Sequence, residues 1–121
     1  MENHPYNLEE RTFLFAKKTG IFLKTIYPDL VNREYIVQLV RSSASIGANY
    51  IEANECLGEK DKLMKLRISR KEAKESAFWL RLLNEIYEYN GECIILHHEA
   101  QELKLILSRI IHKIMGGDNP E

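Results

Sequence analysis

The side chains best suited to chemistry in this sequence are basic. Between Lys60 and Arg81 there are eight Lys and Arg residues (Lys60, Lys62, Lys65, Arg67, Arg70, Lys71, Lys74, Arg81) against three acidic ones (Asp61, Glu72, Glu75), a local excess of five. On a helix turning about 100° per residue, Lys60, Arg67, Arg70, Lys71, Lys74 and Arg81 fall within about 100° of one another and form one continuous ridge. Such a ridge can track a phosphate backbone, because each Lys or Arg near a phosphate releases condensed counterions. Charged solvated faces are also ordinary on bundle helices, so both readings stay open here.

A second polar line runs Gln38, Arg41, Ser42, Ser45, Asn49, Glu52. Its members are mostly small or neutral, whereas Lys and Glu are better helix formers on an open surface. Ser45 and Asn49 are therefore candidates for a hydrogen-bonded seam with another helix or subunit, with Glu52 accepting from a nearby basic residue. A merely solvated face is the alternative.

Catalytic arrangements are hard to assemble. His98 and Glu102 offer an i, i+4 pair beside His97, but two further ligands at zinc spacing are missing, and His112 stands alone. Glu52, Glu55, Glu72 and Glu75 lack the paired Glu-x-x-His motif of di-metal bundles. Cys56 and Cys93 form no C-x-x-C pair, and there is no glycine-rich phosphate loop. We expect no catalytic residues, no metal and no cofactor.

The elements that must position the ridge are marked by breakers. Prolines occur only at Pro5, Pro28 and Pro120, and polar turns surround Gly58 and Gly91. Four segments of helical length result, near 8–26, 33–57, 61–89 and 93–115, with a flexible tail at 116–121. Asn7 with Glu10 resembles a capping box, Asn32 can cap the second helix, and Gly58 and Gly91 suit left-handed positions after helix ends. Gly116 and Gly117 stop the fourth helix. The spacing predicts one buried face per helix: Leu8, Phe15, Thr19, Phe22 and Ile26; then Ile36, Val40, Ser43, Gly47, Tyr50 and Asn54; then Leu66, Ala73, Ala77, Leu80 and Tyr87; then Leu96, Leu103, Leu107, Ile110 and Ile114. Cys93 to Leu96, short enough for a strand, continues a helical pattern and is read as helix. The expectation is an all-α, up-and-down antiparallel four-helix bundle forming a single domain over 1–121.

Further apolar residues lie off these faces: Leu14 and Ile21 on the first helix, Ile68, Trp79 and Ile86 on the third, Ile94 and Leu105 on the fourth. Lines of this kind fit packing against another subunit, or else one broad core.

The 121 residues carry 17 Lys and Arg against 18 Asp and Glu, a formal charge of -1, so a nucleic-acid role must rest on a local patch. Two cysteines make no disulfide framework, the first eight residues contain no apolar run resembling a signal sequence, and no uncharged apolar stretch reaches the length of a membrane span. The cytoplasm is the expected location, with no membrane association.

The stretch from Val40 to Ala53 (V-R-S-S-A-S-I-G-A-N-Y-I-E-A), followed by Lys71 to Leu83 (K-E-A-K-E-S-A-F-W-L-R-L-L), resembles the 23S rRNA-intervening sequence proteins. The likeness is clearest from about Phe13 to Tyr87, and the fourth helix carries little of it. It rests on Ser45, Gly47, Asn49 and Glu52 of the first motif and on Lys71, Glu72, Glu75, Trp79 and Arg81 of the second. Arg70 stands where the pattern leads one to expect an apolar residue. The resemblance implies a four-helix bundle that assembles with itself into a ring, a homopentamer. The family is similar to an accessory protein of diversity-generating retroelements that works with a reverse transcriptase and nucleic acid. It therefore suggests RNA or a nucleic-acid-handling protein as partner, while the slightly negative net charge departs from basic relatives. A protein interaction scaffold that ignores nucleic acid is the rival expectation.

Overall fold

Helix formers, capped ends and short connections generate four helices: α1 (Leu8–Lys24), α2 (Leu30–Glu55), α3 (Glu59–Tyr87) and α4 (Gly91–Ile114). The computed structural model describes residues 7–116. All regular structure among them is helical. The expected tail beyond Gly116 and the first six residues lie outside the described residues.

Each helix packs on its neighbours in sequence, and α4 closes the ring against α1. Cross-helix contacts run in opposite order along every adjacent pair. Thus Glu9 meets Asn54 while Thr12 faces Gly47, and Ser76 meets Ser42 while Ser69 meets Ile46. Likewise Cys93 meets Leu80 and Arg67 reaches Met115. The topology is therefore up-down-up-down, which short connections favour.

Helix starts and stops differ in places from the sequence expectations. The Asn7 side chain accepts from the Glu10 N–H at 3.2 Å, but the box is only half formed. Helix α2 begins at Leu30, because Asp29 rather than Asn32 is the cap. The Asp29 carboxylate accepts from the Val31 and Asn32 N–H groups at 2.9 and 2.7 Å, and Asn32 returns a bond to the Asp29 N–H at 2.8 Å. One carboxylate oxygen, Asp29 Oδ1, satisfies both orphan donors, so Asp29 takes the cap and Asn32 becomes the third helical residue. Gly58 is extended (φ -99, ψ 148) and precedes α3 instead of closing α2 left-handed. The left-handed corner after α3 falls on Glu88 (φ 54) and Asn90 (φ 56), with Gly91 (φ +33) opening α4. The Asn84 side chain fixes this corner by accepting from the Asn90 N–H at 2.6 Å.

The core follows the predicted faces on α1, α3 and α4. Phe15, Leu66, Leu80, Leu96, Leu103 and Leu107 are fully buried, each contributing roughly 1.5–3 kcal/mol of transfer free energy. On α2 the predicted face is buried at Ser43 and Gly47 and packs on the core at Ile36 and Tyr50, but the row turns toward Leu39, Ile46 and Ala53, at seven-residue steps, leaving Val40 52% exposed and Asn54 also exposed. This helix is apolar on two sides, so periodicity offers two faces, and contact with α1 and α3 selects between them. A Cβ at Gly47 would stand 2.8 Å from Thr12 Oγ1, so glycine lets α1 approach. Toward α3, Ser42 and Ser76 hydroxyls meet at 2.9 Å, and Ser69 donates to the Ile46 carbonyl at 2.7 Å, all buried. Small hydroxyls bring the two backbones close while leaving these polar groups satisfied.

Of the extra apolar positions, Ile21, Ile86, Ile94 and Leu105 are exposed, whereas Leu14, Ile68 and Trp79 are half-buried. Trp79 packs against the core and stacks on Tyr35 with ring centroids 5.8 Å apart, so the outer line expected on α3 is largely drawn inward. The clearest exposed apolar line is on α2: Val37, Val40, Ala44, Ala48 and Ile51.

Candidate nucleic-acid interface

Helix α3 carries the ridge for all of its useful length. From Lys60 to Arg81 the helix rises about 30 Å. Lys60, Arg67, Lys71, Lys74 and Arg81 are exposed, and Arg70 is half-buried. Among the described residues, Arg81 alone of these six has an ion-pair partner, Glu85 at 3.5 Å. Arg67 lies against the Met115 sulfur at 3.2 Å, which places the α3 ridge beside the end of α4. Lys65, one helix face away, is engaged with Glu52 at 2.6 Å, and that carboxylate is the main reason its ammonium is held above the ordinary lysine value. The structure thus separates committed cations from those facing water.

Along the polar line of α2, Ser45 and Asn49 do not reach α3. The Ser45 hydroxyl donates back to the Arg41 carbonyl at 2.8 Å, and the Asn49 amide to the Ser45 carbonyl at 2.9 Å. The seam inside one chain is made by Ser42, Ser69 and Ser76, which are fully or nearly fully buried. Glu72 is half-buried beside Glu75, and burial first, then that neighbouring carboxylate, push its acid group upward, opposed by Lys71 and Arg41. Glu75 is exposed.

The groups available for covalent or metal chemistry are engaged structurally or lie apart. Cys93 is buried, donates to the Leu80 carbonyl at 3.4 Å, and has its thiol pushed up to about 11 by burial, which suppresses the thiolate at neutral pH. Cys56 is half-buried and bonds to the Glu52 carbonyl. One ring nitrogen of His97 sits 3.0 Å from the Ala77 carbonyl. Among the described residues, no three His, Cys, Asp or Glu side chains gather as a metal site.

Two features were missed in the sequence. Arg11 grips Glu99 through two parallel bonds of 2.7 and 2.9 Å, tying α1 to α4. A pair separated by 88 residues leaves no local signal. Phe78 projects from the ridge 57% exposed, with Lys74 and Arg81 one turn away on either side. Its spacing to those cations was readable, but its exposure was not.

An antiparallel four-helix bundle with one basic outer helix defines the class of protein. Residues 9–110 match the 23S rRNA-intervening sequence protein family, and the chain belongs to that family. The match takes in most of α4, beyond the stretch where the motifs are most evident. The chain is similar to a protein of unknown function from the S23 ribosomal protein family of Bacteroides thetaiotaomicron, known from a crystal structure at 1.70 Å resolution. The two are 30% identical, with a TM-score of 0.74 over 85% of this chain and 96% of that one. No curated protein matches the chain. Among the described residues, no helix is long and apolar enough to cross a membrane.

Proposed function

We propose that this protein is a non-enzymatic, cytoplasmic RNA-binding scaffold that associates with itself into a ring, a homopentamer, and contacts RNA through the α3 ridge. The observation that carries the reading is the row of five exposed cations on α3, of which only Arg81 is ion-paired among the described residues. The other four, without an ion-pair partner among the described residues and carried on one rigid helix, are poised to replace counterions on a phosphate chain. Self-association is supported by the apolar line Val37, Val40, Ala44, Ala48 and Ile51, which the bundle leaves open to solvent. Repeating a modest patch around one axis multiplies its effective affinity when several copies engage one strand.

The test is RNA binding as a function of salt. The logarithm of the association constant should fall linearly with the logarithm of salt concentration, by about 0.7 to 0.9 per phosphate engaged. Arg67→Glu with Lys74→Glu should abolish binding while leaving the helical circular dichroism unchanged. Absent or salt-independent binding overturns the RNA reading. The α2 apolar face favours one rival, a scaffold for another protein, and in that case the double charge reversal would leave partner capture intact.

A further inference from the structure

We propose that Phe78 is a stacking platform for an unpaired base, so that the ridge takes single-stranded rather than duplex RNA; this rests on the RNA reading above. Phe78 is 57% exposed although its neighbours Ala77 and Leu80 are buried. It lies on the ridge itself, four residues after Lys74 and three before Arg81, both exposed, so the three side chains share one patch of helix surface. The ring is braced from behind. Trp79 meets it edge-on with centroids 5.1 Å apart and an interplanar angle of 78°, and Trp79 is itself stacked on Tyr35 at 5.8 Å and 26°. An exposed aromatic in contact with a second ring has surface open for stacking and little rotamer freedom to lose on binding.

Beside the ring is an open pocket of about 140 Å³ lined by Phe78, Arg81, Leu82 and Glu85. It adjoins a second, of about 240 Å³, where Arg81 and Glu85 are joined by Asn84 and His97. An exposed aromatic ring with the exposed Lys74 ammonium on one side and the Arg81–Glu85 pair on the other forms a combination that holds a splayed-out base: stacking on the ring, phosphate contact to Lys74, and hydrogen bonding of the base edge to the guanidinium, carboxylate and amide of Arg81, Glu85 and Asn84. A duplex cannot use such a platform, because its bases are already stacked on one another.

Trp79 is the only tryptophan in the chain, so stacking at Phe78 can be followed by its emission. The probes are an unstructured oligouridylate of about twelve nucleotides and an RNA duplex of equal length, within the usual span of single-strand sites. The single strand should bind more tightly and perturb Trp79 emission. Phe78→Ala should weaken single-strand binding about 10-fold, leave duplex binding and the salt slope unchanged, and Phe78→Tyr should restore the loss. Unchanged single-strand affinity in Phe78→Ala, or equal affinity for both RNAs in the unaltered protein, overturns the stacking proposal while the salt-dependent ridge reading survives. A lower assembly mass in Phe78→Ala overturns it too, since another copy of the chain would then be what covers the ring. Failure of the unaltered protein to bind either RNA overturns both.

Discussion

The outer faces of α2 and α3 obey the same helical repeat and present opposite chemistry. Val37, Val40, Ala44, Ala48 and Ile51 make one apolar and uncharged, while Lys60, Arg67, Lys71, Lys74 and Arg81 make the other a row of cations. Both are exposed in one chain, and the two helices are held together by the buried hydroxyls of Ser42, Ser69 and Ser76. The lesson is a division of labour. An apolar face is best covered by another apolar face, a cationic one by an anionic chain, which is why the proposed function assigns the joining of copies to α2 and RNA to α3.

The sharpest way to break that comparison is to charge the apolar face. On the proposed self-association, the unaltered chain should form a ring by light scattering and Val40→Glu with Ala44→Glu should give single chains, with helical content retained because both positions are exposed. RNA affinity should drop by about 100-fold or more as multivalent engagement is lost. An unchanged mass would show that α2 is not the face that joins copies.

Next in size is the contact that backs α2. In Gly47→Ala the new methyl meets Thr12, a fully buried side chain. Helix propensity favours alanine by about 1 kcal/mol, but overpacking costs about 1–3 kcal/mol, so a net loss of up to about 2 kcal/mol is expected by denaturant unfolding. Thr12→Ala in the same chain should recover part of it. Ser76→Ala, which removes the bridge to Ser42 behind α3, should cost about 1 kcal/mol. An effect of either change on RNA affinity comparable to that of the charge reversals would show that the faces are not independent of the seam.

The smallest expected effect is on pH dependence, at the end where α2 begins and α3 stops. The N–H of Asn32 is the main reason the Asp29 carboxyl is held below its ordinary value; the Tyr87 hydroxyl, 2.9 Å away, adds to this. Tyr87 in turn is raised to about 12, chiefly by desolvation and then by Asp29. Because the folded-state value of Asp29 is lowered, its contribution is present above the ordinary carboxylate value of about 3.9 and is lost as pH falls through the folded value. Between about pH 4.5 and 2.5 the melting temperature should therefore fall less steeply in Asp29→Asn than in the unaltered chain. Parallel curves would show that the carboxylate does not strengthen the junction.

Much of this molecule was legible in its residues. The breakers and caps gave four helices to within a few residues, since both act through local backbone geometry. The seven-residue steps of Leu66, Ala73 and Leu80, or of Leu96 and Leu103, left one way to bury each helix. The ridge was readable for the same reason: once α3 is a helix, the angles of Lys60 to Arg81 follow. Val40 was misplaced because α2 has two apolar sides, and Asn32 was named as the cap although Asp29, three residues earlier, is an equally good capping residue.

What the sequence determined by itself, then, is the set of helices, their order and the angular position of every charge on them, because these depend on neighbours a few residues away. Tertiary packing alone decided which side of α2 is buried, that Ser42 and Ser76 meet, that Lys65 is held by Glu52 while Lys74 faces water, and that Phe78 stands open beside Arg81. Each of those is settled by where a second helix lies, and burial is a property of pairs of elements, not of one.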